Sequence, residues 1–294
     1  MSVITPFFVV VAGVLGLLIG SFLNVVAYRV PAKISLLRES RCPDCDIPIK
    51  PWHNVPVLGW VALRGRCANC GSLISVRYPL VEAFTGVTFA CVTWWALAVY
   101  DDLLGETLPQ YLVLPTVDGE VRPADVWALV FVVVAYLYFA AVSIVLTLID
   151  LDTRRLPNSI VLPSYAVAGV LLALAAWFTG EWAALLRAAV GMAVLYLFYA
   201  LLRLVRPRGM GGGDVKLAGM IGIYLGWLGW GALAVGAFAA FVYGGVFGIA
   251  LLVLRRAGRK TAIPFGPWML LGAWTGVFAG ESVGRWYVNL FTGV

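Results

Sequence analysis

Residues 125–150 read DVWALVFVVVAYLYFAAVSIVLTLID, with no charged side chain between the aspartates at the two ends. A helix needs about 20 mostly apolar residues to cross the hydrocarbon of a bilayer, so this stretch by itself predicts a membrane span. Similar runs lie to either side. Further helices are expected at 6–28, 82–101, 157–180, 182–202 and 263–280. Arg187 is the one charge inside 182–202, close enough to an end for its guanidinium to snorkel. Residues 217–254 carry no charge and are too long for one helix, and Gly226-Trp-Leu-Gly-Trp-Gly231 predicts a turn between two. The expected fold is therefore an all-α polytopic membrane protein with eight transmembrane helices.

Composition agrees. Of 294 residues 62% are hydrophobic and 12% charged, against roughly 25% charged in a soluble domain. Twelve Trp and 12 Tyr suit a chain with interfacial aromatic belts. These figures exclude a disordered, collagen-like or disulfide-dense secreted protein. The single histidine, His53, excludes chemistry that needs two, such as an HExxH zinc protease. The opening apolar run has no basic residue before it and is expected to stay as a helix, not to leave as a signal peptide.

Charge sets the direction of the chain. Eighteen of the 21 Lys and Arg fall in the segments 29–77, 154–155, 203–216 and 255–260; Arg122, Arg187 and Arg285 remain for the other side. Residues 101–125 hold six acids and one arginine, as an outer loop should. The positive-inside rule then places the basic loops in the cytoplasm and, with eight helices, both termini outside. The net charge of +6 is thus topology, and no nucleic-acid partner is expected. Two domains are expected: 1–100, with two helices and a large cytoplasmic loop at about 31–79, and 125–294, with six helices.

That loop contains Cys42-Pro-Asp-Cys45 and Cys67-Ala-Asn-Cys70. Two Cys-x-x-Cys turns can each present two thiolates to one ion, and four thiolates make a closed, structural zinc site. Gly65 and Gly71 suit the tight turns around the second pair. Disulfides are disfavoured on the reducing side of a membrane. His53 would compete with a ligand set already complete and is expected to pack in the loop; Cys91, alone in a membrane helix, is expected to be packing.

Acids at helix ends are the remaining chemistry, because ionisable groups at membrane depth are costly and by default functional. They are Asp150 and Asp152 in Ile149-Asp-Leu-Asp-Thr-Arg-Arg-Leu-Pro157, and Asp214 in Gly209-Met-Gly-Gly-Gly-Asp-Val-Lys216. Asp152 reads as a partner for the neighbouring arginines. Gly211, Gly212 and Gly213 have no side chains to block an approaching peptide and are free to take dihedrals closed to other residues. They form, with Lys216, a candidate substrate loop beside Asp214. No phosphate-loop pattern is present, and nothing supports a Ser-His or Cys-His nucleophile. Two aspartates sharing one proton can activate a water and polarise a carbonyl, although proton-coupled transport uses paired acids too.

Several stretches resemble the bacterial prepilin peptidases, or type IV leader peptidases. They are Gly20-Ser-Phe-Leu-Asn-Val-Val-Ala-Tyr-Arg-Val-Pro31, the cysteine pairs, Arg77-Tyr-Pro-Leu-Val-Glu82, Ile149-Asp150 with Leu156-Pro157, the Gly-x-Gly-Asp run ending at Asp214, and Ile263-Pro-Phe-Gly-Pro267. The resemblance implies an aspartic endopeptidase of the Gly-x-Gly-Asp kind with Asp150 and Asp214 as its dyad. Its substrates would be type IV prepilins or pseudopilins, cut after a glycine at the cytoplasmic face of the bacterial inner membrane. It also implies N-methylation of the new N-terminus with S-adenosylmethionine as co-substrate, for which Glu82 is the candidate site residue, an acid that reads equally as a helix N-terminal charge favoured by the dipole. The chain departs from the family pattern at His53-Asn-Val-Pro56, where Glu-Asn-Ile-Pro is common, and at Asn158, where many relatives have aspartate. A peptidase without methyl transfer and a proton-coupled transporter are the alternatives.

Overall fold

The structure is a computed structural model that describes residues 4–103, 123–206, 210–254 and 264–292. The helices are α1 (Ile4–Arg29), α2 (Leu58–Ala62), α3 (Arg77–Leu103), α4 (Pro123–Thr153), α5 (Asn158–Thr179), α6 (Trp182–Val205), α7 (Gly212–Leu228), α8 (Trp230–Val253) and α9 (Gly266–Thr292), with a short 3-10 turn at Pro51–Asn54. No strand occurs among the described residues. Most of the outer loop at 101–125, the basic segment 255–260 and Gly209 lie outside the described residues.

Eight of these helices are long, and six of them (α1, α3, α4, α5, α6 and α8) are long and apolar enough to cross a membrane. Length and composition thus support six of the eight expected crossings and give α7 and α9 no such support. At ~1.5 Å per residue, the 17 residues of α7 reach about 25 Å, short of the roughly 30 Å hydrocarbon thickness. In α9 the polar residues Glu281 and Arg285 interrupt the apolar run. Helix α3 begins one turn earlier than expected, so Glu82 stands inside it and is only 8% exposed. It is not a helix-start acid.

The chain forms two compact units. In the first, Met1–Ala98 with Leu137–Ile149 of α4, α1 and α3 pack closely: a Cβ at Gly16 would fall 2.7 Å from the Thr85 carbonyl oxygen. Asn24 donates to the Tyr78 carbonyl at 3.2 Å. The buried guanidinium of Arg29 gathers the carbonyls of Ser35, Leu36, Arg38 and Glu39, closing the chain as it leaves α1.

The second unit is Val99–Tyr136 with Asp150–Val294, and α7 is its axis. Every residue of α7 from Leu217 to Leu228 is buried, and α5, α6, α8 and α9 all touch it. A helix apolar on all faces belongs inside a bundle, which is why α7 needs no lipid-spanning length. Small residues bring the neighbours in: a Cβ at Gly191 of α6 would lie 2.6 Å from the Gly222 carbonyl oxygen of α7. Such contacts bind membrane helices where lipid offers no hydrophobic drive. Arg187 does not snorkel. Its guanidinium donates to the carbonyls of Gly226 at 2.8 Å and Trp227 at 2.7 Å, satisfying the C-terminal end of α7, while Glu281 accepts the Ala232 N–H at 3.1 Å in the first turn of α8. The α7–α8 turn is thus held by a cation at one helix end and an anion at the other.

Candidate active site and cysteine cluster

Asp150 stands in the last turn of α4. The helix stops at Arg154, a residue at φ +53° whose N–H returns to the Asp150 carbonyl at 2.8 Å. The connection is then cut short by Pro157, which fixes the start of α5. The Asp150 side chain is 4% exposed, and its Oδ2 accepts the Gly266 N–H at 3.1 Å, at the first residue of α9. Asp214 lies in the first turn of α7 and accepts the Gly211 N–H at 3.0 Å. Each carboxylate is therefore seated at a helix N-terminus, where orphan N–H groups and the dipole favour negative charge. The two are close enough for the charge of Asp214 to act on Asp150. Among the described residues no further hydrogen bond occupies either carboxylate.

Glycines make the approach possible, though not as expected. None of Gly211, Gly212 and Gly213 has a positive φ; Gly211 is extended at φ −73°, ψ 152°, and the other two belong to α7. The expectation of special dihedrals is corrected: their use is close contact. A Cβ at Gly213 would lie 2.9 Å from the Leu156 Cβ, and one at Gly212 would lie 2.5 Å from an Arg203 guanidinium nitrogen. A Cβ at Gly266 would fall 2.7 Å from Asp150 Oδ2 and 3.6 Å from Leu156. Leu156 is thus a wedge between the backbone that carries Asp214 and the Gly266 backbone that donates to Asp150.

Lys216 is held by α5. Its Nζ donates to Asn158 Oδ1 at 2.9 Å, and its carbonyl accepts the Tyr165 hydroxyl, so both of its polar ends tie α7 to α5. Tyr199, buried on α6, feels the charge of Asp214 and packs against Phe241 and Phe265, walling the site with aromatic rings. Asp152 is exposed. The sequence reading gave no role to Gly266, Leu156 or Tyr199; only the Pro-Phe-Gly-Pro run hinted at the first.

In the other unit the four cysteines converge. The Sγ atoms of Cys42, Cys45, Cys67 and Cys70 all lie within 4.8 Å of one another. The two pairs are copies of one knuckle. Cys42 N–H bonds to the Ile47 carbonyl at 3.1 Å and Cys67 N–H to the Ser72 carbonyl at 2.8 Å, while Asp46 and Gly71 N–H groups return to Cys42 and Cys67. Asp46 (φ +53°) and Gly71 (φ +72°) take the same left-handed place, and Gly65 (φ +65°) serves the approach to the second copy. The Cys42–Cys70 sulfurs are 3.8 Å apart, far beyond a disulfide bond. Four thiolates at ~2.3 Å from a tetrahedral ion would be separated by about 3.8 Å, so the set can hold a metal ion. The N–H groups of Cys45 and Asp44, then the Ser72 hydroxyl, bring the Cys42 thiol down to about 6, while, against the Ile47 N–H, burial and the neighbouring thiols push Cys45 up to about 12; a metal ion held by all four would displace the remaining protons. His53 and Cys91 lie outside this cluster.

Glu82 has a marked partner. Its Oε2 accepts the Val57 N–H at 2.7 Å. Val57 is a β-branched residue at φ +60°, ψ −52°, in a tight turn closed by the Leu58 N–H on the Pro56 carbonyl at 2.6 Å. Such turns are rare and strained, and the buried carboxylate holds this one in place.

Comparison with known proteins places these features in one lineage. Residues 14–96 match the bacterial peptidase A24 N-terminal domain, and residues 137–249 match the type IV leader peptidase family. A protein of Neisseria gonorrhoeae named prepilin leader peptidase/N-methyltransferase is 35% identical over 97% of this chain and 95% of its own length. Proteins of the same name from Pseudomonas putida (34%) and Aeromonas hydrophila (33%) each align over 94% of this chain and 92% of theirs. No solved structure matches. Matched by relatives at 33–35% identity over 94–97% of its length, the chain belongs to the type IV leader peptidase family.

Proposed function

We propose that this protein is a bifunctional membrane enzyme that removes the leader of type IV prepilins or pseudopilins and then methylates the new N-terminus from S-adenosylmethionine. The observation that carries the peptidase half is the pairing of Asp150 and Asp214 within mutual electrostatic reach, each on the N–H of a helix start. Two such carboxylates hold one proton between them. The ionised one takes a proton from water as it attacks the scissile carbonyl carbon, and the protonated one hydrogen-bonds the carbonyl oxygen. Collapse of the tetrahedral intermediate breaks the C–N bond, and the proton passes to the leaving amine. The half-buried backbone at Gly212 and Gly213, with the exposed Gly211, offers the peptide a surface without side chains. Lys216 positions this loop through Asn158. The proton-relay alternative is disfavoured because both acids stand at helix ends, not at broken helices near a midplane.

Zinc is the ion that fits a closed set of four thiolates, and it would stay structural, fixing a loop too small to build a core. For methyl transfer, the buried Glu82 and the strained Val57 turn are the candidate donor site. The basic loops support a cytoplasmic face for both activities and outer termini, in the inner membrane of a bacterium, with membrane lipid as the constant partner. The division of labour follows the boundaries 1–100 and 125–294.

A synthetic prepilin N-terminal peptide, incubated with the purified protein in lipid and a labelled methyl donor, tests both halves. The expected products are a free leader and a mature peptide heavier by one methyl group. Intact peptide would refute the peptidase; cleaved peptide without label would refute the methyltransferase.

A further inference from the structure

The cysteine loop carries an apolar stripe that nothing in its own unit covers. From the 3-10 turn at Pro51–Asn54 through α2 the chain turns two kinds of residue to opposite sides. Gly59 is buried against the His53 carbonyl, and Trp60 packs on Gly65 and donates from Nε1 to the Ile74 carbonyl at 3.0 Å. Trp52 (64% exposed), Val55 (42%), Leu58 (67%) and Val61 (58%) face outward. Leu58 and Val61, three apart within α2, share one face of it, and the exposed Trp52 and Val55 precede them across the Val57 turn. Lys50 lies over the Trp52 ring at 5.4 Å.

Charge says what this stripe meets. From residue 47 to residue 81 there is no acid, while Lys50, Arg64, Arg66 and Arg77 all fall there. The acids of the loop, Glu39, Asp44 and Asp46, are confined to the first knuckle, where Arg41 pairs with Glu39 and Asp46. The stripe is thus an apolar face carrying a tryptophan, its exposed charges in 47–81 all cationic; the one acid against it, Glu82, is buried on the Val57 N–H. This is the pattern of a segment lying in a lipid interface, where apolar side chains enter the acyl boundary and cations meet anionic headgroups. The loop is also tethered between α1 and α3, both long and apolar enough to cross the bilayer, so a lipid surface begins at each end of it.

We propose that the face of Trp52, Val55, Leu58 and Val61 is a membrane-surface contact that seats the cysteine-bearing loop on the anionic leaflet of the same bilayer that α1 and α3 cross. Lys50 and Arg64 supply the preference for anionic lipid, and the acidic first knuckle faces away from the headgroups.

The full chain in vesicles of phosphatidylcholine, with or without phosphatidylglycerol, tests this when a benzophenone amino acid replaces Leu58 or Val61. Both sites are exposed, so the replacement leaves the packed side intact, and retained metal confirms a folded loop. Irradiation is expected to give phospholipid adducts at both positions and none at Asp44, the acidic-knuckle control. Yields should rise several-fold with phosphatidylglycerol and lose that dependence in the double variant Lys50→Glu, Arg64→Glu. Adducts to protein alone, whether a second copy or another part of the chain, would overturn the proposal. So would lipid adducts whose yield ignores the anionic lipid.

Discussion

The cysteine cluster and the aspartate pair are both small polar constellations in a largely apolar chain, yet they are assembled by opposite means. The cysteines come from one loop, where the same knuckle is written twice and two left-handed residues, Asp46 and Gly71, turn each copy. The aspartates come from helices distant in the chain. They are brought into range by what is missing: side chains at Gly213 and Gly266 that would collide with Leu156 and Asp150. A local site rests on its turns, whereas a dispersed site rests on the packing of the whole second unit. The difference predicts where each will break.

The largest effect belongs to the acids themselves. Asp150→Asn or Asp214→Asn is expected to abolish leader cleavage, a loss of at least about 10⁴-fold, while metal content and insertion stay unchanged; peptide mass and metal analysis check both. Next come the glycines. Gly213→Ala places a methyl group 2.9 Å from the Leu156 Cβ, and overpacking of about 1–3 kcal/mol at the wedge should slow cleavage roughly tenfold to a hundredfold with little change in methyl transfer. Leu156→Ala in the same background should restore part of the rate, which a loss of fold would not allow.

Cys42→Ser or Cys67→Ser separates the two regions the other way. Bound zinc should fall well below one per chain and methyl transfer should fail, since metal binding is part of the folding free energy of the loop, with cleavage kept to within an order of magnitude. Absence of zinc from the unsubstituted protein would contradict the structural-metal reading. The smallest change is Lys216→Met, which removes the bond to Asn158. About 1 kcal/mol corresponds to roughly a fivefold fall in kcat, and Asn158→Asp alone should leave cleavage intact by keeping an acceptor in place.

How much of this was legible beforehand follows the same divide. The cysteine knuckles could be read from spacing, because ligand geometry over a few residues is local. The helices could be read from charge-free runs, since lipid enforces them. The crossing count could not: the burial of α7 depends on α5, α6, α8 and α9 surrounding it, and hydropathy does not tell a buried helix from a lipid-facing one. Arg187 illustrates the point. Its position near a helix end suggested snorkelling, but the open carbonyls of Gly226 and Trp227 on a neighbouring helix capture it. Asp150 and Asp214 were visible as acids at helix ends; the Gly266 amide, the Leu156 wedge and Tyr199 were not, because each acts only through a tertiary neighbour. Glycines that looked like sources of unusual dihedrals proved to be points of close approach.

The most direct test of the central claim is single-turnover leader cleavage by Asp150→Asn, Asp214→Asn and the double variant. Two groups that share one proton act as a unit, so each single variant should fall to the same residual rate as the double. A single variant that cleaves well above the double would show that the two carboxylates work apart, and would contradict the dyad.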